Sequence, residues 1–220
     1  MNKFLRSSAK TSCGHTSYDL TETSSWVEDA VMYWTPQEGR VLDLGCGPGR
    51  HLDTIHGLGM EVYGLDLSVS YLKRSEERPS SGLVLADMVS LPFRDESFDT
   101  ILAWRSIYMQ KLEGIVITVA EIKRVLKPGG ILICSCRSKT NTLYFIAQEI
   151  GEEVEPGTFN LDDGKDFFNV CYHFFALDEI WEIFRSFHIE TTIEIPLKHT
   201  NCTSSRPEHQ NTFWVIAARK

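Results

Sequence analysis

Short, nearly unbroken apolar runs alternate with amphipathic stretches through the first two thirds of the chain. The apolar runs predict strands at about 41–44, 61–66, 83–86, 98–104 and 130–136. Helical patterns fill the gaps at about 50–58, 69–77 and 112–126. An earlier helix is expected over 24–34, where Ser24 and Ser25 can cap and Val27, Ala30, Val31 and Trp34 recur at helical spacing. The helix ending near Val125 has a stop signal in its own chemistry: Lys123 and Arg124 in the last turn, then Pro128, Gly129 and Gly130. Nearly continuous apolar strands alternating with helices predict an α/β fold with a parallel sheet covered on both faces.

The pattern changes beyond residue 137. A helix at 141–151 is followed by 152–172, which holds acids, Gly157, Gly164 and aromatics with no clear period. A long irregular stretch inside a compact domain reads as a lid or binding loop. A helix at 177–187 follows, then two strand-like runs, 189–195 and 212–218, separated by a polar stretch with Pro196 and Pro207. Residues 1–20 read as irregular. The 220 residues fit one domain with a full core. Its parts are an N-terminal cap and helix (1–40), a core (41–136), an insertion and helix (137–187) and a strand pair (188–220).

The chemistry concentrates in Val41-Leu42-Asp43-Leu44-Gly45-Cys46-Gly47-Pro48-Gly49-Arg50, a buried strand running into a glycine-rich turn. Glycines there free the backbone for positive φ and let a ligand lie against bare main chain. A doubly wound nucleotide fold also requires an acid closing the next strand some 20 residues on, and Asp66 ends Glu61-Val62-Tyr63-Gly64-Leu65-Asp66. The dinucleotide fingerprint needs a third glycine five residues after the first. Arg50 holds that position, so the spacing is G-x-G-x-G and speaks against a pyrophosphate cofactor.

This stretch resembles the first motif of class I S-adenosylmethionine (SAM)-dependent methyltransferases. Leu83-Val84-Leu85-Ala86-Asp87-Met88, Leu91 to Asp99, and Glu121 to Gly130 resemble the later motifs in the family's order. The resemblance implies a Rossmann-like, doubly wound, seven-stranded sheet, mostly parallel, with an antiparallel last strand inserted between the fifth and sixth. It implies SAM as cofactor and S-adenosylhomocysteine as product. Asp43, Gly45, Cys46, Gly47 and Gly49 would form the cofactor turn, Asp66 would take the ribose hydroxyls and Asp87 the adenine amino group. Leu67 and Met88 would give apolar walls, and Trp104 would complete the cofactor set.

The family places reacting groups after the fourth strand, here Trp104-Arg105-Ser106-Ile107-Tyr108. The Asn/Asp-Pro-Pro-Tyr motif of base-methylating enzymes is absent there. Arg105 is expected to orient an anionic substrate and Tyr108 to close over the methionine portion. Cys171-Tyr172-His173-Phe174-Phe175 resembles the His-Phe-Phe element of small-molecule enzymes of the methyltransferase type 11 and tellurite-resistance-like group. His173 is therefore the candidate substrate-side group, brought to the acceptor by a lid made of 152–173, with Phe159, Phe167, Phe168 and Tyr172, together with the first twenty residues. His51, on the first helix turn, reads as a surface residue.

Net charge is −8, and no basic stripe is visible, which disfavours nucleic acid as a partner. No run approaches the ~20 apolar residues of a membrane span, and no secretory signal is evident, so a cytoplasmic monomer or homodimer is expected. Cys13, Cys46, Cys134, Cys136, Cys171 and Cys202 lack zinc-ligand spacing and read as reduced thiols, with no metal. The resulting reading is methyl transfer to a small molecule by in-line displacement. The alternatives are a tRNA methyltransferase, suggested by Leu91 to Asp99, and a SAM-binding but catalytically silent partner subunit.

Overall fold

The computed structural model describes residues 25–161, 170–196 and 211–220. In chain order the elements are α1 (Ser25–Trp34), β1 (Arg40–Leu44), α2 (Leu52–Gly57), β2 (Glu61–Asp66), α3 (Val69–Ser75), β3 (Gly82–Leu85), β4 (Phe98–Ala103), α4 (Leu112–Val125) and β5 (Leu126–Arg137). Then come α5 (Thr142–Ile150), β6 (Glu152–Glu155), β7 (Thr158–Leu161), β8 (Val170–His173), α6 (Leu177–Ile183), β9 (His188–Pro196) and β10 (Thr212–Arg219). Seven strands form one sheet in the order β3-β2-β1-β4-β5-β10-β9. The first five are parallel, and β10 runs antiparallel to both β5 and β9. This is the doubly wound, mostly parallel arrangement with an inserted antiparallel strand that the sequence implies.

Alternation along the strands divides the apolar residues between two faces. Leu42, Leu44, Leu65, Ile101, Leu132 and Cys134 share a core with Ile115, Val119 and Ile122 of α4 and Ile180 of α6. Val41, Val62, Leu102, Ile131 and Ile133 point the other way and pack with Val27, Ala30 and Val31 of α1 and Leu52 and Ile55 of α2. Period-two side chains from one sheet thus feed two helical layers.

The segment 152–172 corrects the irregular-loop expectation. Three four-residue strands pair antiparallel, in the order β6-β7-β8, into a second sheet. Four residues are too few to show a period against the acids at 152, 153 and 155, and the pairing is what orders them. Residues 162–169, with Phe167 and Phe168, lie outside the described residues, as do the first twenty residues, Pro207, Cys13 and Cys202.

At the carboxyl edge of β5 the chain is tied across to β10. Asn141 caps α5 by accepting from Leu143 N at 2.9 Å, and its amide donates to Asn211 Oδ1 and Thr212 O, both at 2.9 Å. All of this is buried, so truncation strands several polar atoms at once. Asn141→Ala should lower unfolding free energy by about 2–4 kcal/mol, more than an exposed cap, as read from urea denaturation.

Candidate active site

β1 pairs with β2 on one side and β4 on the other, so the crevice of this fold opens beyond its carboxyl end. The glycine turn fills that place. Gly45 N and Cys46 N both donate to Leu65 O, at 2.7 and 3.0 Å, which docks the turn on the end of β2. Gly45 has φ 75°, and a Cβ there would lie 2.5 Å from Ser106 Cβ, so the loop after β4 leans directly on the turn. Ser106 Oγ donates to Leu44 O at 2.6 Å and fastens the same junction. Gly47, with φ 56°, differs in kind: a Cβ there would meet nothing within 4 Å. With its place after β1, that open backbone is the candidate ligand cradle.

One acid sits directly on that turn. Asp66 accepts from Gly47 N and Ser68 N, both at 2.8 Å. Burial pushes its carboxyl above the ordinary value, against these hydrogen bonds. Asp87 is exposed and accepts from Val89 N at 3.1 Å, while Met88 lies against the turn with its methyl 3.7 Å from the Cβ position of Gly45. Leu67 is 68% exposed at the mouth. Cys46 is buried, and burial followed by Asp43 and Asp66 drives its thiol far upward, so it stays protonated.

Beneath the turn the surface expectation for His51 fails. The ring is buried, with Nδ1 3.6 Å from Asp43 Oδ2, because the first helix turn faces down onto β1 rather than outward. Among the described residues Asp43 Oδ2 and His51 Nε2 have no hydrogen-bond partner although both are buried. Burial lowers the imidazole's proton affinity, against the opposing pull of Asp43.

The residues after β4 divide. Trp104 is buried in the α1–α2 core, behind the sheet's edge. Arg105 has φ 60°, a left-handed conformation that is strained for a non-glycine residue, and its N donates to Ser135 Oγ at 2.8 Å. Its guanidinium lies 5.5 Å from the ring centre of Phe213. Tyr108 is buried and stacks on Tyr172 with centroids 6.2 Å apart, so the second sheet closes over this loop as a cover.

His173 is fully buried in that cover. Its Nδ1 lies 2.6 Å from Thr158 Oγ1 and its Nε2 3.0 Å from Glu179 Oε1. Both ring nitrogens are thus engaged inside the protein, and the ring clamps β7, β8 and α6 together. Its backbone N donates to Tyr108 O at 2.9 Å, carrying the clamp to the loop after β4. Sequence reasoning missed Arg137, at the end of β5, which is buried beside Tyr108, Tyr172 and Phe213. Its signal was faint: a cation closing an apolar strand at the edge where the other site residues gather.

Comparison with known proteins agrees with this geometry. Residues 42–134 match the methyltransferase domain family model, which spans β1 to β5. A putative methyltransferase of Bacillus subtilis, YqeM, is 30% identical over 172 residues, 76% of this chain and 64% of its own length. The malonyl-[acyl-carrier protein] O-methyltransferase of Salmonella typhimurium is 37% identical over 133 residues, 59% of this chain and 52% of its own. The chain therefore spans between about half and two thirds of these relatives. A SAM-dependent methyltransferase of Methanosarcina mazei has the same fold, with TM-score 0.73 over 90% of this chain and 98% of that one, at 19% identity. Among the described residues no helix is long and apolar enough to cross a membrane, and no group of His, Cys, Asp and Glu could hold a metal ion.

The open space over Gly47 gives a steric test. Gly47→Val should retain a cooperative melt yet lose S-adenosylhomocysteine binding in calorimetry, because a branched side chain both fills the cradle and resists positive φ.

The clamp gives a pH test. Burial alone would raise the Glu179 carboxyl, but the His173 hydrogen bond and charge outweigh it and hold it below the ordinary 4.5. A depressed folded value means that the stabilisation is present above about pH 4.5 and is lost as pH falls through the folded value. Urea midpoints of wild type and Glu179→Gln should therefore differ at neutral pH and converge below pH 4.5.

Proposed function

We propose that this chain, a class I SAM-dependent methyltransferase by family, uses the turn after β1 to hold SAM and transfers its methyl group to a small-molecule acceptor. The observation that supports the reading is the open backbone of Gly47, held by Asp66 through its N–H, with Met88 against the neighbouring Gly45. Bound SAM supplies an electrophilic methyl group on a sulfonium. Asp66 accepts the ribose hydroxyls and Asp87 the adenine amino group, while Leu67 and Met88 wall the base. Asp43, Cys46 and Gly49 complete the turn, and the orphaned Asp43 Oδ2 is placed to accept from a cationic group.

The rest of the site has two tasks, alignment and dryness. An in-line displacement needs the acceptor held along the bond being broken, and excluding water keeps both reactants unsolvated. Tyr108, Tyr172 and Phe159, all buried, supply the apolar cover. His173, with both nitrogens occupied, acts in this reading as a positioning residue that holds the cover on Tyr108, not as the group that takes a proton. Trp104 backs the strand end from behind. A small acceptor rather than a polyanion suits the net charge of −8.

Asp66→Ala is expected to weaken S-adenosylhomocysteine binding by about 2–3 kcal/mol, the scale of charge-assisted hydrogen bonds, without loss of fold. Titration calorimetry with both proteins reads this directly. Wild-type protein that binds no S-adenosylhomocysteine would overturn the reading.

A further inference from the structure

Arg137 is the anomaly of the carboxyl edge. It is 5% exposed, yet among the described residues no carboxylate pairs with it. Its guanidinium carbon lies 5.1, 5.3 and 5.2 Å from the ring centres of Tyr108, Tyr172 and Phe213. Nη1 donates to Asn211 Oδ1 at 3.3 Å, and among the described residues Nε has no hydrogen-bond partner. Aromatic faces attract a cation, but that attraction falls short of the cost of taking a guanidinium out of water, and it does nothing for an orphaned N–H. A charge kept at such expense calls for a partner that the described residues do not provide at Nε.

Three further observations say where that partner binds. Arg137 closes β5 at the same edge where β1 opens into the glycine turn. Tyr108 and Phe213 belong to the loop after β4 and to β10, and Ser106 of that loop leans on Gly45. A second guanidinium, that of Arg105, lies 5.5 Å from the ring centre of the same Phe213, so two cations flank one ring. Rings make the floor apolar, and the cations make it positive. The planar N–H fork of arginine fits a planar, two-oxygen anion.

We propose that Arg137 is the acceptor-binding residue and that the methyl acceptor carries a carboxylate, held by its Nε–H beside the glycine turn. This rests on the methyltransferase reading and adds the acceptor's chemical class. A carboxylate moved from water onto a buried cation is matched in charge and held in place. A neutral acceptor would leave Arg137 as unsatisfied as it is alone, which gives the site its discrimination.

The test uses full-length protein saturated with S-adenosylhomocysteine and labelled with 15N-arginine. Malonate, succinate and benzoate are titrated in turn, with their methyl esters and inorganic phosphate as controls. Expected is a saturable shift of one buried arginine Nε–H resonance with a carboxylate and none with the esters. Arg137→Met, which fits between the rings without charge, should melt at or above the wild-type temperature. It should bind S-adenosylhomocysteine within about twofold of wild type while weakening the carboxylate roughly tenfold to a hundredfold; Arg137→Lys should recover part of that loss. The proposal is overturned if no carboxylate shifts the resonance in the wild-type protein, a result obtained even if the variants fail to fold. It is equally overturned if phosphate alone binds, or if S-adenosylhomocysteine itself shifts the resonance and loses affinity in Arg137→Met, which would give the cation to the cofactor. Wild-type protein that binds no S-adenosylhomocysteine fails at the earlier step, so the two readings are separable.

Discussion

β1 is hydrogen-bonded to β2 on one side and to β4 on the other, and the connections from these strands must leave the sheet in opposite directions. That single constraint opens a crevice at the carboxyl edge which no helix can fill. The glycine turn occupies its floor because a bulkier chain could not pass between Leu65 O and Ser106. The loop after β4 leans on the turn from one side, Asp66 holds it from the other, and the small β6-β7-β8 sheet comes down over Tyr108. Each part of the site is where it is because the order of strands reverses at β1.

The two edges of the sheet carry opposite electrostatic designs. At the amino edge charges are matched: Asp99 takes both Lys127 Nζ and Arg40 N, and Arg124 joins Glu121, Asp95 and two backbone carbonyls. Toward the carboxyl edge, Asp43 Oδ2, His51 Nε2 and Arg137 Nε are buried and have no hydrogen-bond partner among the described residues. Buried polar atoms are ordinarily satisfied, so these contrast with the matched charges of the amino edge.

What could be read in the chain follows the range of the interactions concerned. The strand-turn-strand around Gly45 to Asp66 is local: its periodicity, its glycines and its closing acid lie within one stretch. The sheet order followed from family resemblance, and β10 between β5 and β9 agrees with it. The second sheet was not legible, because strands of four residues such as Glu152–Glu155 draw their order from partners rather than from their own pattern. His51 looked exposed because a helix's first turn usually is, and only the position of α2 over β1 turns it inward. Arg137 was passed over for a similar reason: its three rings come from residues 108, 172 and 213, and nothing near it in sequence announces them.

The place of β10 has a consequence for how the protein is made. Synthesis delivers β1 to β5 first, and these can pair side by side as they emerge. β5 then keeps a bare edge, and β9 has nothing to pair with, until Thr212–Arg219 arrives between them. Phe213 travels on that same strand, so the aromatic surround of Arg137 closes in the same event that completes the sheet. A ribosome-bound chain lacking β10 would present an open sheet edge, a natural site for a chaperone to hold.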